Sequence, residues 1–202
     1  VTRTNTVAER RAEIIAAAIR VLARDGITET TTRKIAAEAN VNQATLRYYF
    51  GSKDDLLFAV LQEIMHRTRE VVRDGTPRDC GLHEAIARSI KAFWSHVEAA
   101  PELEMMQYEL TLYALRHHDS AWLAKQQYDG YSAVVETLLQ HGFEAAGQAC
   151  AVTFSELARY LIAGLDGLML QFMSDRDTYR AQRDLGHLIA SVITLAEGPS
   201  ST

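Results

Sequence analysis

The chain has 202 residues, 48% hydrophobic and 23% charged, a balance that excludes wholesale disorder. Its 21 Lys and Arg against 26 Asp and Glu give a formal net charge of −5, at face value a poor total for gripping nucleic acid. No run of about 18 uninterrupted apolar residues occurs, which excludes a membrane-spanning helix; the nearest, Leu157 to Met173, is broken by Arg159 and Asp166. The opening VTRTNTVAERRAEII lacks the apolar segment of a signal peptide. Cys80 and Cys150 make neither a metal spacing nor a disulfide framework. The chain reads as a cytoplasmic protein of a reducing compartment, with no metal and no cofactor.

Apolar positions recur at three and four along almost the whole chain, which predicts an all-α fold of about nine helices. Thr6 and Glu9 have capping-box spacing for a first helix striped by Ile14, Ala18, Val21 and Leu22, and Gly26 is placed to stop it. Short helices follow at about 32–39 and 43–50, joined by Asn40-Val41-Asn42, and Gly51 closes the second of them. Ser52 and Asp55 offer a cap for a long fourth helix reaching about Val72, and Asp74 to Arg78 reads as a loop. Five further helices are expected near 82–99, 101–117, 120–141, 153–174 and 177–197. Pro101 sits at a first helical position, and Thr153 with Glu156 repeats the capping box.

The charge is not evenly spread. Residues 1–53 hold nine basic and five acidic residues, a net of +4, and residues 54–202 hold twelve and twenty-one, a net of −9. Anion binding therefore belongs to the first quarter of the chain. Two short helices across a three-residue turn form the unit that places a second helix in a DNA major groove. Ile35, Ala36 and Ala39 supply the apolar face of the first, Val41 plugs the turn, and Leu46, Tyr49 and Phe50 anchor the second. That leaves Gln43, Ala44, Arg47 and Tyr48 facing outward. Gln suits adenine edges, Arg guanine edges or phosphate, and Ala a thymine methyl.

Thr31 to Val60, TTRKIAAEANVNQATLRYYFGSKDDLLFAV, resembles the tetracycline-repressor (TetR) family of bacterial one-component transcriptional regulators. The resemblance covers roughly the first 60 residues, and the remaining 140 match in helix number and size. It departs from the common pattern with Asn40 in place of Gly, Asn42 in place of Ser or Thr, and Arg47 in place of Tyr. The resemblance implies a helix-turn-helix DNA-binding domain at 1–53 and an effector-binding and dimerisation domain at 54–202. It implies phosphate contacts from Thr32, Arg33 and Lys53, and a base-reading surface of Gln43, Ala44, Arg47 and Tyr48. The partners implied are a palindromic double-stranded DNA operator, a second copy of the chain, and a small-molecule effector that releases a repressor.

The body supplies candidates for the last two. The apolar stripes of the last two helices include Leu161, Leu165, Leu168 and Phe172, then Leu188, Val192 and Leu195; the family habit of pairing these helices makes them the expected dimer surface. Gly164 and Gly167 would permit close approach of a partner helix or a ligand. Helices five to seven are rich in aromatics and methionines with interleaved polar groups, the chemistry of a small-molecule site. Trp94, Met105, Tyr108, Glu109, Tyr113, Trp122, Tyr128, Tyr131 and, on helix eight, Arg159 are the expected effector contacts, for a largely apolar or aromatic ligand. No His-x-x-x-His pair, phosphate loop or Gly-x-Ser-x-Gly occurs, so an enzyme is not expected. A thiol sensor using Cys80 or Cys150, and control by a protein partner, stay open as alternatives.

Overall fold

The computed structural model describes residues 6–75 and 82–198. These form α1 (Val7–Glu29), α2 (Thr32–Glu38), α3 (Gln43–Phe50), α4 (Lys53–Gly75), α5 (Leu82–Ala99), α6 (Pro101–Arg116), α7 (Ala121–Ala146), α8 (Phe154–Asp175) and α9 (Thr178–Glu197), with a 3-10 turn at His118–Ser120. The fold is all-α, as the sequence predicts. No helix among the described residues is long and apolar enough to cross a membrane. Asp74 and Gly75 continue α4 rather than opening a loop, and the rest of that expected loop lies outside the described residues, as does Cys80.

The local signals work as their chemistry requires. At both Thr6/Glu9 and Thr153/Glu156 the hydroxyl accepts from the third helical N–H while the carboxylate accepts from the cap's own N–H. Those reciprocal bonds satisfy two donors that a helix start leaves open. Asn40 takes a left-handed φ of 52°, a conformation Asn tolerates through its short polar side chain. Two residues on, Asn42 caps α3, its carboxamide oxygen accepting from the Thr45 N–H at 2.7 Å. Gly51, at φ 68°, closes α3 with its N–H on the Arg47 carbonyl. Ser52 and Asp55 then exchange side-chain bonds with each other's backbone N–H to start α4.

Gly26 departs from the simple expectation of a stop. At φ 73° and ψ 167° it breaks α1, yet Ile27 to Glu29 add one more turn beyond it.

By packing, the chain forms two units, one running through His66 with Glu102–Gln127 and the other comprising Arg67–Pro101 with the residues from Tyr128 on. In the first, α1 to α3 share a core with the start of α4, with α6 and with the start of α7. Ile14, Leu22, Ile35, Leu46, Leu57, Met106 and Leu123 belong to it. The second is centred on buried Trp94, Phe143, Leu157, Leu185 and Val192.

Asn42→Ala should destabilise the protein by about 1 kcal/mol through loss of the α3 cap. Chemical denaturation checks this, and an unchanged midpoint would mean the cap contributes nothing.

Candidate functional site

In the helix-turn-helix, the residues expected to read bases lie on the surface. Leu46 and Phe50 are buried and hold α3 down, while Gln43, Ala44, Arg47 and Tyr48 are exposed. Tyr48 is 81% exposed and meets the Tyr49 ring edge-on, with centroids 5.4 Å apart. At the start of α2, Thr32 is half-buried and Arg33 exposed.

Ion pairing decides which cations of the basic module remain available. Arg20 and Arg24 both bind Glu38, and Arg24 and Lys34 both bind Asp25. These partners hold both carboxyls below their usual range, Arg24 first for Asp25 and Arg20 first for Glu38. Arg33 and Arg47 make no ion pair among the described residues. They face the outside with their charge uncompensated, which is what phosphate or a guanine edge requires.

Lys53 is turned inward. Its Nζ donates to the Thr30 carbonyl at 3.1 Å and lies 5.4 Å from the Tyr113 ring centroid. Burial lowers its pKa, with Asp54 partly opposing. A phosphate contact from Lys53 must therefore compete with an internal bond, a competition invisible in local sequence.

Two links tie the reading unit to α6 and the turn after it. Glu109 of α6 accepts from the Ile27 N–H at 2.7 Å, satisfying the donor that the Gly26 break removes from the helix ladder. A Cβ on Gly26 would stand 3.0 Å from that same carboxylate. The second link is Asp54, which accepts from the buried Ser120 hydroxyl at 2.5 Å and from the Tyr113 hydroxyl at 3.5 Å. Burial, then Asp54, raises the Tyr113 pKa. Glu109 and Tyr113, expected as effector contacts, engage these internal partners instead.

The other expected effector contacts divide between the units. Met105, Tyr108 and Trp122 fall in the first, with Met105 and Trp122 exposed and the indole edge-on to Phe58. Trp94, Tyr128, Tyr131 and Arg159 fall in the second. Trp94 is fully buried, and its indole N–H donates to Glu98 at 2.9 Å, which makes it a core residue. Arg159 is exposed. A void of about 10 Å³ beside Leu57, Leu61, Leu110, Leu123 and Gln127 has room for a water and not for an effector.

The expected dimer stripe needs correction. Leu161, Leu165, Phe172 and Val192 are buried in this chain's own core, so they have no surface left to give a partner. Leu168, Leu188 and Leu195 are half-buried and keep some. At Gly164 the close approach comes from the chain itself, because an added Cβ would overlap Leu188 of α9; Gly167 faces open space. Cys150 is a half-buried free thiol.

A family model described as bacterial regulatory proteins, tetR family, matches residues 14–60. The nicotine-responsive transcriptional repressor HdnoR of Paenarthrobacter nicotinovorans is 31% identical over 177 residues, covering 86% of this chain and 88% of its own. The multidrug binding protein EbrR, solved with imidazole, has a TM-score of 0.67 at 28% identity and covers 96% of this chain and 98% of its own. FadR of Bacillus subtilis, a transcriptional regulator solved with stearoyl-CoA, has a TM-score of 0.71 at 19% identity, covering 91% and 98%, and shows the fold. The matched family consists of regulators, not enzymes.

Gly26→Ala should destabilise the protein by about 1–3 kcal/mol, since the φ/ψ region it occupies is essentially glycine-only. In a Glu109→Ala background the penalty should shrink, because the carboxylate no longer crowds the new Cβ. A double-mutant cycle in denaturant reads the coupling, and strictly additive losses would mean the two residues act independently.

Proposed function

We infer the finer function from the family: the chain belongs to the tetR family of bacterial regulatory proteins, and it is a transcription regulator. In this reading it is a repressor that binds a palindromic operator as a homodimer and leaves it when a small, largely apolar or aromatic effector binds. Residues 1–53 read DNA, and 54–202 hold the effector and pair the protomers. The observation that carries the DNA reading is the exposed α3 face of Gln43, Ala44, Arg47 and Tyr48, flanked by uncompensated Arg33. Gln43, Arg47 and Tyr48 address base edges; Thr32 and Arg33 address phosphate, with Lys53 joining when it leaves Thr30.

Pairing follows from the operator. One short recognition helix offers little base contact, and two on a two-fold site multiply it. Of the expected stripe, Leu168, Leu188 and Leu195 keep some accessible surface for the partner. For the effector, the printed names of relatives support a ligand-responsive body, since HdnoR is nicotine-responsive and EbrR binds multiple drugs. Of the expected contacts, Met105, Tyr108 and Trp122 of the first unit and Tyr128, Tyr131 and Arg159 of the second stay as proposals.

The switch is a population shift. Effector binding favours a conformation in which α4 moves and the spacing of the two recognition helices no longer fits the operator. Coupling is reciprocal, so operator DNA weakens effector binding by the same factor.

Operator binding, measured by fluorescence anisotropy on a genomic fragment selected by the protein, should weaken steeply with salt. Arg33→Ala should reduce the slope of log affinity against log salt by about 1. Arg47→Ala should cost about 1–3 kcal/mol at the base it reads and relax specificity there. Tight binding unchanged between low and moderate salt would overturn the assignment of the basic module.

A further inference from the structure

We propose that Arg11 of α1 is a phosphate clamp at the far end of α3, holding the operator backbone beside the bases that α3 reads. The proposal rests on the DNA reading above and adds a contact from outside α2, α3 and α4.

Arg11 lies in the second turn of α1, well before Thr31 to Val60. It stands one turn ahead of Ile14 and Ile15, which share the module's core with Phe50, so its stem leaves α1 on the side that faces that ring. The guanidinium carbon is 5.2 Å from the centroid of the Phe50 ring, and Phe50 is the last residue of α3. Phe50 is buried and Arg11 exposed, which puts the cation on the outer side of the contact. A guanidinium resting on an aromatic face keeps its five N–H donors in its own plane, free of the ring. Among the described residues those donors meet neither a carboxylate nor any other acceptor. Other cations of α1 and α2 differ in this respect. Arg10 is held by Glu13, Arg20 and Arg24 by Glu38, and Lys34 by Asp25. An arginine fixed at its face and vacant at its edge suits the planar, bidentate demand of a phosphate.

Position decides between phosphate and base. Gln43, Arg47 and Phe50 fall at i, i+4 and i+7 along one row of α3, and Arg11 on the Phe50 ring continues that row at the helix end. In a helix-turn-helix the N-terminal residues of the second helix meet the base edges. The other end of an eight-residue helix lies about 12 Å further on, the width of the groove itself, where the backbone stands. Carbonyls at a helix C-terminus carry partial negative charge and repel a phosphate. A cation beside them reverses that sign.

The test follows binding of the full chain to the selected operator fragment by fluorescence anisotropy across a salt series. Arg11→Gln should lower the slope of log affinity against log salt by about 1 for each bound protomer. It should weaken the operator and a base-substituted operator by the same factor, since a phosphate contact carries no sequence. Arg11→Lys keeps the charge and should keep the slope. Arg10→Gln removes the same charge one residue away and should leave the slope near the wild-type value, because Glu13 already holds that guanidinium. Should Arg11→Gln fail to fold, Arg11→Met keeps an apolar stem on the ring and carries the same expectations. A purely structural role for Arg11 lowers affinity without lowering the slope. An unchanged slope, equal losses in the Arg10 and Arg11 variants, or an altered preference between the two operators therefore overturns the clamp. A wild type whose binding ignores salt overturns the DNA reading itself. An unchanged slope in Arg11→Gln beside a reduced one in Arg33→Ala removes Arg11 alone.

Discussion

The first packing unit depends on how the chain satisfies one backbone N–H. Gly26 breaks α1 at a φ/ψ that glycine alone adopts readily, and the Ile27 N–H then has no helical carbonyl to meet. Glu109 meets it from α6. The consequences run forward along the chain. The added turn fixes Thr30, whose hydroxyl donates back to the Gly26 carbonyl at 2.6 Å and whose own carbonyl receives Lys53. Thr31 then caps α2, and Lys53 opens α4 just after Gly51 has closed α3. α2 and α3 thus lie between Thr30 and Lys53, whose bond to each other traces back to the turn beyond the Gly26 break.

Charge is the second constraint, and its average misleads. The net of −5 sums a +4 module and a −9 body, yet even the module's charge is partly consumed inside it. Arg20, Arg24 and Lys34 lock α1 to α2 through Glu38 and Asp25. Exposed pairs of this kind stabilise little, on the order of 0–1 kcal/mol each. Their larger effect is selection: they neutralise cations away from the reading face and leave Arg33 and Arg47 bare beside it. Basic residues in sequence are therefore more numerous than cations available to DNA.

How much was legible in the sequence follows from range. Thr6 with Glu9, Thr153 with Glu156, Ser52 with Asp55 and the Asn40-to-Asn42 turn act over three residues or fewer, and their residue types state the geometry. The exposed face of α3 was legible for the same reason, because α3 is short and its apolar positions leave one side free. Glu109 and Ile27 are 82 positions apart, and no local spacing announces that an acidic residue on α6 will cap a break in α1. The α8 and α9 stripes failed differently. An apolar stripe shows that a face is covered, not by whom, and Leu161, Leu165, Phe172 and Val192 are covered by the chain itself. Gly164 illustrates this, for the missing side chain makes room for Leu188 of the same chain.

The proposed release by a ligand also has an energetic requirement, and it bears on which contacts could transmit the signal. Moving a two-state equilibrium from 1:99 to 99:1 takes about 5.5 kcal/mol of differential binding. A single hydrogen bond to a charged group contributes about 1.5–3 kcal/mol. The Glu109 link alone falls short of so complete a shift. Glu109 to Ile27 and Asp54 to Ser120 together approach the required scale, and both involve the same stretch, α6 and the turn that follows it. They engage opposite ends of the reading unit, one at the break in α1 and one at the first turn of α4. A displacement of α6 that strains both bonds at once acts on both ends of the helix-turn-helix, whereas loss of either bond alone leaves the other holding it in register.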